Sequence, residues 1–311
     1  MITTSPSLQT VKSNTACFLT PAAALMALGL LEEIDEEANW IFRTNSGFFP
    51  ENFYTYRRIV RGIILSGGNV KMSASKGTVI PVNQFLKNEG MEGSLLKETD
   101  DPSSLYAAAV IALMEKFKIA GQEIFQNTKN GQSVSASLHK VHAMGTTNVK
   151  FLLSNIVDEE IFVTMETENY DLGFYMMDRP IGDSFALYEH VNQVLQSLRE
   201  TNLEFSSFRV PMIDLSDCGD LEWLKGAQTI GTDGLPAIIS QAKFHNIFKM
   251  DNVGFLAKSS ASVGADRGMS HGKDFTIDRP FVVFVMGKTD GEIYFAAHVG
   301  YDGMKRPNIS W

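Results

Sequence analysis

The rhythm of apolar and polar positions changes part of the way along the chain. Over the first ~130 residues the apolar positions recur three and four apart, the spacing of one helix face. This predicts helices over Ala22 to Ala38, Phe53 to Leu65 and, longest, "SSLYAAAVIALMEKFKIAGQEIFQ" from Ser103 to Gln126, where the two serines stand as capping residues. From about Val134 the texture turns to short runs rich in β-branched and aromatic residues: "NVKFLL", "EEIFVTMET", "DLGFYMM", "EFSSFRVPMIDL", "FHNIFKM", "RPFVVFVM" and "EIYFAAHVG". These predict strands. One amphipathic helix, "DSFALYEHVNQVLQSLRE" (Asp183 to Glu200), interrupts them, and Asp290-Gly291 is a favoured pair for a tight hairpin turn. Helices early and strands late predict an α+β fold, helices packed on large, mostly antiparallel β-sheets. No repeat, low-complexity tract or linker divides the chain, so residues 1–311 read as a single domain.

One stretch fits neither rhythm. "NVGFLAKSSASVGADRGMSHGKDF" (Asn252 to Phe275) is rich in glycine and serine, lacks proline, and lies between two apolar, strand-like runs. Loops of that length without structure of their own are uncommon inside a domain and are usually functional or disordered.

Composition narrows the function classes. The 311 residues are 44% hydrophobic and 20% charged, with a formal net charge of -9. No basic block or stripe occurs, so the electrostatic footprint of a nucleic-acid binder is absent. Cys17 and Cys218 are far apart with no metal-ligand spacing, and read as two reduced thiols, although a disulfide between them stays open. "ACFLTPAAALMALGLL" (Ala16 to Leu31) is too short to span a bilayer and lacks a clean cleavage site before "EEIDEE". It reads as a buried helix starting near Thr20-Pro21, with proline in the first turn. No membrane association and an intracellular location are the expectation.

The motifs that suggest catalysis lack their partners. "KMSAS" (Lys71 to Ser75) resembles the phosphate-holding loop of class I aminoacyl-tRNA synthetases, but no His-x-Gly-His accompanies it. Ser73 and Lys76 form an S-x-x-K, the serine nucleophile motif of β-lactamase-type enzymes, yet the companion would be "KTD" (Lys288 to Asp290), without its glycine. Loss of a hydrolase activity on Ser73→Ala would be needed to sustain that reading. His139 and His142 have no third ligand nearby. The expectation is therefore no enzyme, no metal and no cofactor.

Four blocks in order resemble the serpin family. "YDLGFYMMDRPIGDSFALYEHVNQVLQ" (Tyr170 to Gln196) is similar to the family's strand followed by an amphipathic helix. "FRVPMIDLSDCGDLEWLKGAQTIG" (Phe208 to Gly231) is similar to its V-x-x-P-K-F segment, and "FHNIFKMDNVG" (Phe244 to Gly254) to its F-H-K-A-F strand and hinge. "DRPFVVFVMGKTDGEIYFAAHVGYD" (Asp278 to Asp302) resembles the C-terminal signature, with alanine and histidine where a glycine and an arginine are usual. Near the N-terminus Thr20 and Pro21 match, whereas Ala16 and Ala23 stand where the family has polar residues. The resemblance is clearest over residues 170–302 and weak over 40–160. The chain is shorter than typical members, and the deficit is expected between Gln126 and Val149.

The resemblance implies a function for the unexplained stretch. In serpins it is the reactive-centre loop, a protease bait that inserts as a new strand after cleavage and traps the acyl-enzyme. The hinge then falls on Asn252, Val253, Gly254, Phe255 and Ala257, and the scissile bond among Arg267, Gly268 and Met269. Arg267 would attract a trypsin-like protease; the alternative is a solubilising loop charge. On insertion Phe255, Ala257, Ser259, Ala261 and Val263 would face inward, and Leu256, Lys258, Ser260 and Ser262 outward. Four of those five inward residues are small, but Phe255 is expected to be crowded where inhibitory members have a small residue. The partner implied is a target protease met by a monomer. The alternative is a non-inhibitory binding or structural protein on the same fold, a virion component for example.

Overall fold

The computed structural model describes residues 2–3, 17–19, 70–101, 104–111, 113–141, 148–179, 184–201, 203, 205–220, 228–230, 236–256, 273–289, 291 and 293–309. The predicted helices over Ala22 to Ala38 and Phe53 to Leu65, the segment from Thr20, and His142 lie outside them. The predicted strands from Val149 onward all form. They run β8 (Val149–Leu153), β9 (Ile161–Glu166), β10 (Tyr170–Met176), β12 (Phe205–Pro211), β13 (Ile213–Asp220), β16 (Lys243–Met250), β19 (Phe281–Gly287) and β20 (Ile293–Val299). The predicted amphipathic helix is α2 (Ser184–Ser197), which gives way to the short strand β11 (Arg199–Glu200).

The largest sheet has eight strands. Its order is β1 (Ile2–Thr3), β2 (Cys17–Leu19), β20, β19, β10, β9, β8, β11, antiparallel except for β1 with β2. The centre of this sheet is the deepest part of the core, because β10 and β19 are buried on both faces: Leu172, Phe174, Tyr175, Phe281, Val282, Val283 and Val285 have no exposed surface. That explains their runs of consecutive apolar residues in place of alternation. β19 and β20 form the predicted hairpin, and Gly291 takes the left-handed conformation (φ 71°) that the turn needs.

A second sheet has the order β18 (Lys273–Thr276), β12, β7 (Ser133–Lys140), β6 (Gln122–Asn127), with β18 parallel to β12. The span in which the chain was expected to be short, between Gln126 and Val149, contains the turn and second strand of the β6–β7 hairpin. A third sheet has the order β13, β16, β17 (Gly254–Leu256), β5 (Met114–Lys116). Two ribbons complete the set: β3 (Val70–Lys76) with β4 (Leu105–Ile111), and β14 (Gln228–Ile230) with β15 (Pro236–Ile238). Cys17 lies in β2 and Cys218 in β13, in different sheets.

The prediction of a helix from Ser103 to Gln126 is wrong. That segment forms β4, β5 and β6. For β4 the cause is burial on two sides. Tyr106, Ala108 and Val110 pack under the helix α1 (Ile80–Asn88) with Val79, Val82 and Leu86, while Ala109 on the other face packs against the main core. A strand covered on both faces has no period-two signal, and an alanine-rich run then imitates a helix.

The strand geometry also removes the serine-nucleophile reading. Ser73 and Lys76 are three apart on β3, opposite Ala108 and Leu105. Residues three apart on a strand point to opposite faces, so the lysine cannot take the serine proton. Among the described residues no helix is long and apolar enough to cross a membrane.

Gly173 tests the packing at the sheet centre. A Cβ there would lie 2.2 Å from Cζ of Phe284 and 2.9 Å from Cζ of Phe162. Gly173→Ala is expected to cost about 1–3 kcal/mol, the usual range for overpacking, measured as a lower midpoint in chemical denaturation with an unchanged slope.

Candidate functional site

The segment that resembles a serpin hinge begins at the end of β16. Met250 closes that strand, and the chain reverses through Asp251, Asn252 and Val253 into β17. The reversal is built by Asp251, which the sequence reading did not single out. Its Oδ1 accepts from the backbone N–H of Val253 (2.7 Å) and of Gly254 (3.1 Å), and its own N–H donates to the carbonyl of Gly254 (3.0 Å). An aspartate that caps its own turn in this way is a local, sequence-encoded device.

The turn is also gripped from outside by a strap, residues 117–121, that leaves β5. Phe117 N–H donates to the carbonyl of Val253 (3.0 Å) and Gly121 N–H to that of Asn252 (2.6 Å). Asn252 Nδ2 returns a bond to the carbonyl of Gly121 (3.0 Å). The strap lies in the segment predicted as helix, which is why the sequence did not reveal it. Its one legible sign was Gly121.

Beyond the turn, β17 lies antiparallel between two strands. Phe255 pairs with Met250 of β16 on one side and Glu115 of β5 on the other; Leu256 pairs with Lys249 and Met114. Phe255 is 1% exposed. Its ring centroid is 6.2 Å from that of Phe248 and 6.3 Å from that of Tyr170. The expected crowding at Phe255 is therefore corrected: neighbouring rings leave an aromatic-sized site, and the side chain fills it.

Beyond β17 the third sheet changes character. β16 meets β17 only at Lys249 and Met250, and β4 pairs only with β3. Among the described residues no ladder joins β4, the strand that precedes β5, to β16.

Ala257, Arg267, Gly268 and Met269 lie outside the described residues. The chain returns as β18, where Asp274 receives hydrogen bonds from Ser207 and Ser206 and pairs with Arg209 of β12. The Ser207 hydroxyl foremost, helped by the Arg209 guanidinium, holds the Asp274 carboxyl below its usual range. The two ends of the segment are thus both tied, one between β16 and β5 and the other to β12.

No family model matches the sequence, and no curated protein matches it in sequence. Solved structures do match in shape. A serpin from the trematode Schistosoma haematobium superposes with a TM-score of 0.55 at 12% identity, covering 91% of this chain and 93% of that one. The serpin of Schistosoma mansoni gives 0.52 at 13% identity over 91% and 95%. A thyroxine-binding globulin in complex with thyroxine gives 0.50 at 13% identity, over 93% of both chains. These superpositions, each over about nine-tenths of the chain, show that the chain carries the serpin fold.

Proposed function

We propose that this protein is a protease inhibitor that acts by cleavage of the segment 257–272 and insertion of its first part into the third sheet. One observation carries the reading: β17 already lies as a strand between β16 and β5. Among the described residues no ladder joins β16 to β4 beyond it, and there we place the slot that the inserted strand would fill. Extending the β17 register by whole residues puts Ala257 opposite Phe248 and Leu113, Ser259 opposite Asn246 and Ile111, and Ala261 opposite Phe244 and Ala109. The face these share with Phe255 is the core face, since Leu113 and Phe248 are buried and Ala109 packs on the core. Small residues suit that face. Leu256, Lys258 and Ser260 fall on the opposite side, with α1.

Hinge residues in this reading are Asn252, Val253, Gly254, Phe255 and Ala257, and the bait is Arg267, Gly268 or Met269. A single domain presents them, and Arg267 directs the choice of target to trypsin-like enzymes. A second reading is a non-inhibitory binding or structural protein. Phe255 favours it: an aromatic anchor holds the hinge in place, and a held hinge restrains the loop.

Three measurements bear on these readings. Incubation with trypsin-like proteases is expected to give an adduct that survives SDS, lost in Arg267→Ala; turnover of the loop with no adduct by every protease tried would favour the second reading. Cleavage within 257–272 is expected to raise the thermal midpoint strongly, because insertion adds a strand to both edges of the slot. Ala261→Glu is expected to abolish that rise and convert inhibitor to substrate, as it would bury an unpaired carboxylate on the core face.

A further inference from the structure

We infer that the ring of His139 is a proton-sensitive latch on the hinge: its protonation lifts the strap 117–121 and frees the turn at 251–254. The consequence for loop insertion rests on the inhibitor reading above; the latch itself rests on the contacts around the ring.

His139 lies on β7 and is 3% exposed. Its Nε2 is 2.7 Å from Ser137 Oγ, and the ring also makes a hydrogen bond to the backbone of Ile119, in the middle of the strap. The neutral tautomer that satisfies both carries its proton on Nδ1, donates to the Ile119 carbonyl and accepts from the Ser137 hydroxyl. Buried Asn148 also reaches that carbonyl, with Nδ2 at 3.5 Å. Phe117 meets the ring edge-on, with centroids 5.1 Å apart. At the other end of the strap, a Cβ on Gly121 would lie 2.8 Å from both Cε1 and Nε2 of His139 and 2.1 Å from Ser137 Oγ. The strap therefore lies directly on the imidazole. Its two ends, Phe117 and Gly121, are the residues whose amides hold Val253 and Asn252.

A second proton disturbs this arrangement. Nε2 becomes a donor, Ser137 must turn its own hydroxyl away, and a cation is enclosed. Among the described residues the charged groups of the packed elements are engaged elsewhere or turned to water. Lys116 before the strap and Lys118 within it are exposed, Lys118 reaching Glu166. Glu115 of β5 accepts from Glu168 N–H and Asn169. Glu123 of β6, the register partner of Ser137, pairs with Arg306. Lys140 of β7 and Arg209 of β12 are the next residues after His139 and its partner Phe208, on the opposite face, and Arg209 pairs with Asp274. Asp251 of the hinge caps its own turn.

Burial lowers the His139 pKa from 6.5 to about 4. An open strap returns the ring to water and to its ordinary value. The closed strap is thus fully favoured above about pH 6.5 and loses ground tenfold per unit as the pH falls toward 4. Opening is expected to be about 20-fold more frequent at pH 5 than at pH 7.

Amide hydrogen exchange, corrected for its intrinsic pH dependence, reads this at single residues. Exchange at Phe117 and Gly121 is expected to rise about 20-fold from pH 7 to pH 5, while Leu172 in β10 keeps its protection. His139→Gln is expected to remove the pH dependence. A flat response in the native chain, an equal rise in His139→Gln, or a parallel rise at Leu172 would each overturn the latch. If His139→Gln does not fold, the ring signals of the native chain decide: His139 must stay neutral down to about pH 5, and an imidazolium at pH 6 with the strap still protected overturns it. Neither measurement depends on inhibition. Acid-dependent exchange with no protease adduct would leave the latch standing and remove the inhibitor reading.

Discussion

A strand with one edge unpaired is an incomplete structure, and the third sheet of this protein is organised around that condition. Backbone amides and carbonyls require partners as strictly as side chains require packing. Between β4 and β16 the described residues supply none to one another, while three residues of β17 supply them at one end. The turn at 251–254, the strap and the aromatic site of Phe255 together hold β17 between β16 and β5. The eight-stranded sheet, with the deepest part of the core, forms the frame against which it is defined.

The hinge combines two kinds of restraint. Asp251 closes the turn locally, with bonds that depend only on the four residues from Asp251 to Gly254. The strap holds it from a distance in sequence, through backbone bonds between residues more than a hundred positions apart. A local turn persists when the surroundings loosen; a long-range clamp does not. The end of the slot can therefore open at the strap while the turn keeps its shape. His139, enclosed beneath the strap, places a titratable group at the contact that decides between those states.

The sequence was most legible where strands have one dominant environment. β10, β16, β19 and β20 were visible as apolar runs bounded by turn residues, and Gly291 marked its hairpin correctly. The α2 helix was visible because one of its faces is polar. The same reasoning failed for β4 and β5. β4 is packed on both sides, by α1 and by the main core, and its alanines favour helix by intrinsic preference, while β5 is three residues long and too short to show a period. Because the strap follows β5, that error also hid half of the candidate site. Phe255 was read as too large because its neighbours Phe248 and Tyr170, one nearby and one remote in sequence, could not be seen to leave room for a ring.

The sequence by itself determined the α+β class, the order of the later strands and the unusual composition of 252–275. Each depends on periodicity or on contacts between near neighbours, which are written along the chain. Tertiary structure alone decided that Leu105–Ile111 and Met114–Lys116 are strands, that Phe255 is accommodated, that the strap holds the turn and that His139 lies beneath it. Those outcomes depend on which surfaces meet, and a surface far away in sequence leaves no local mark on the residues that it covers.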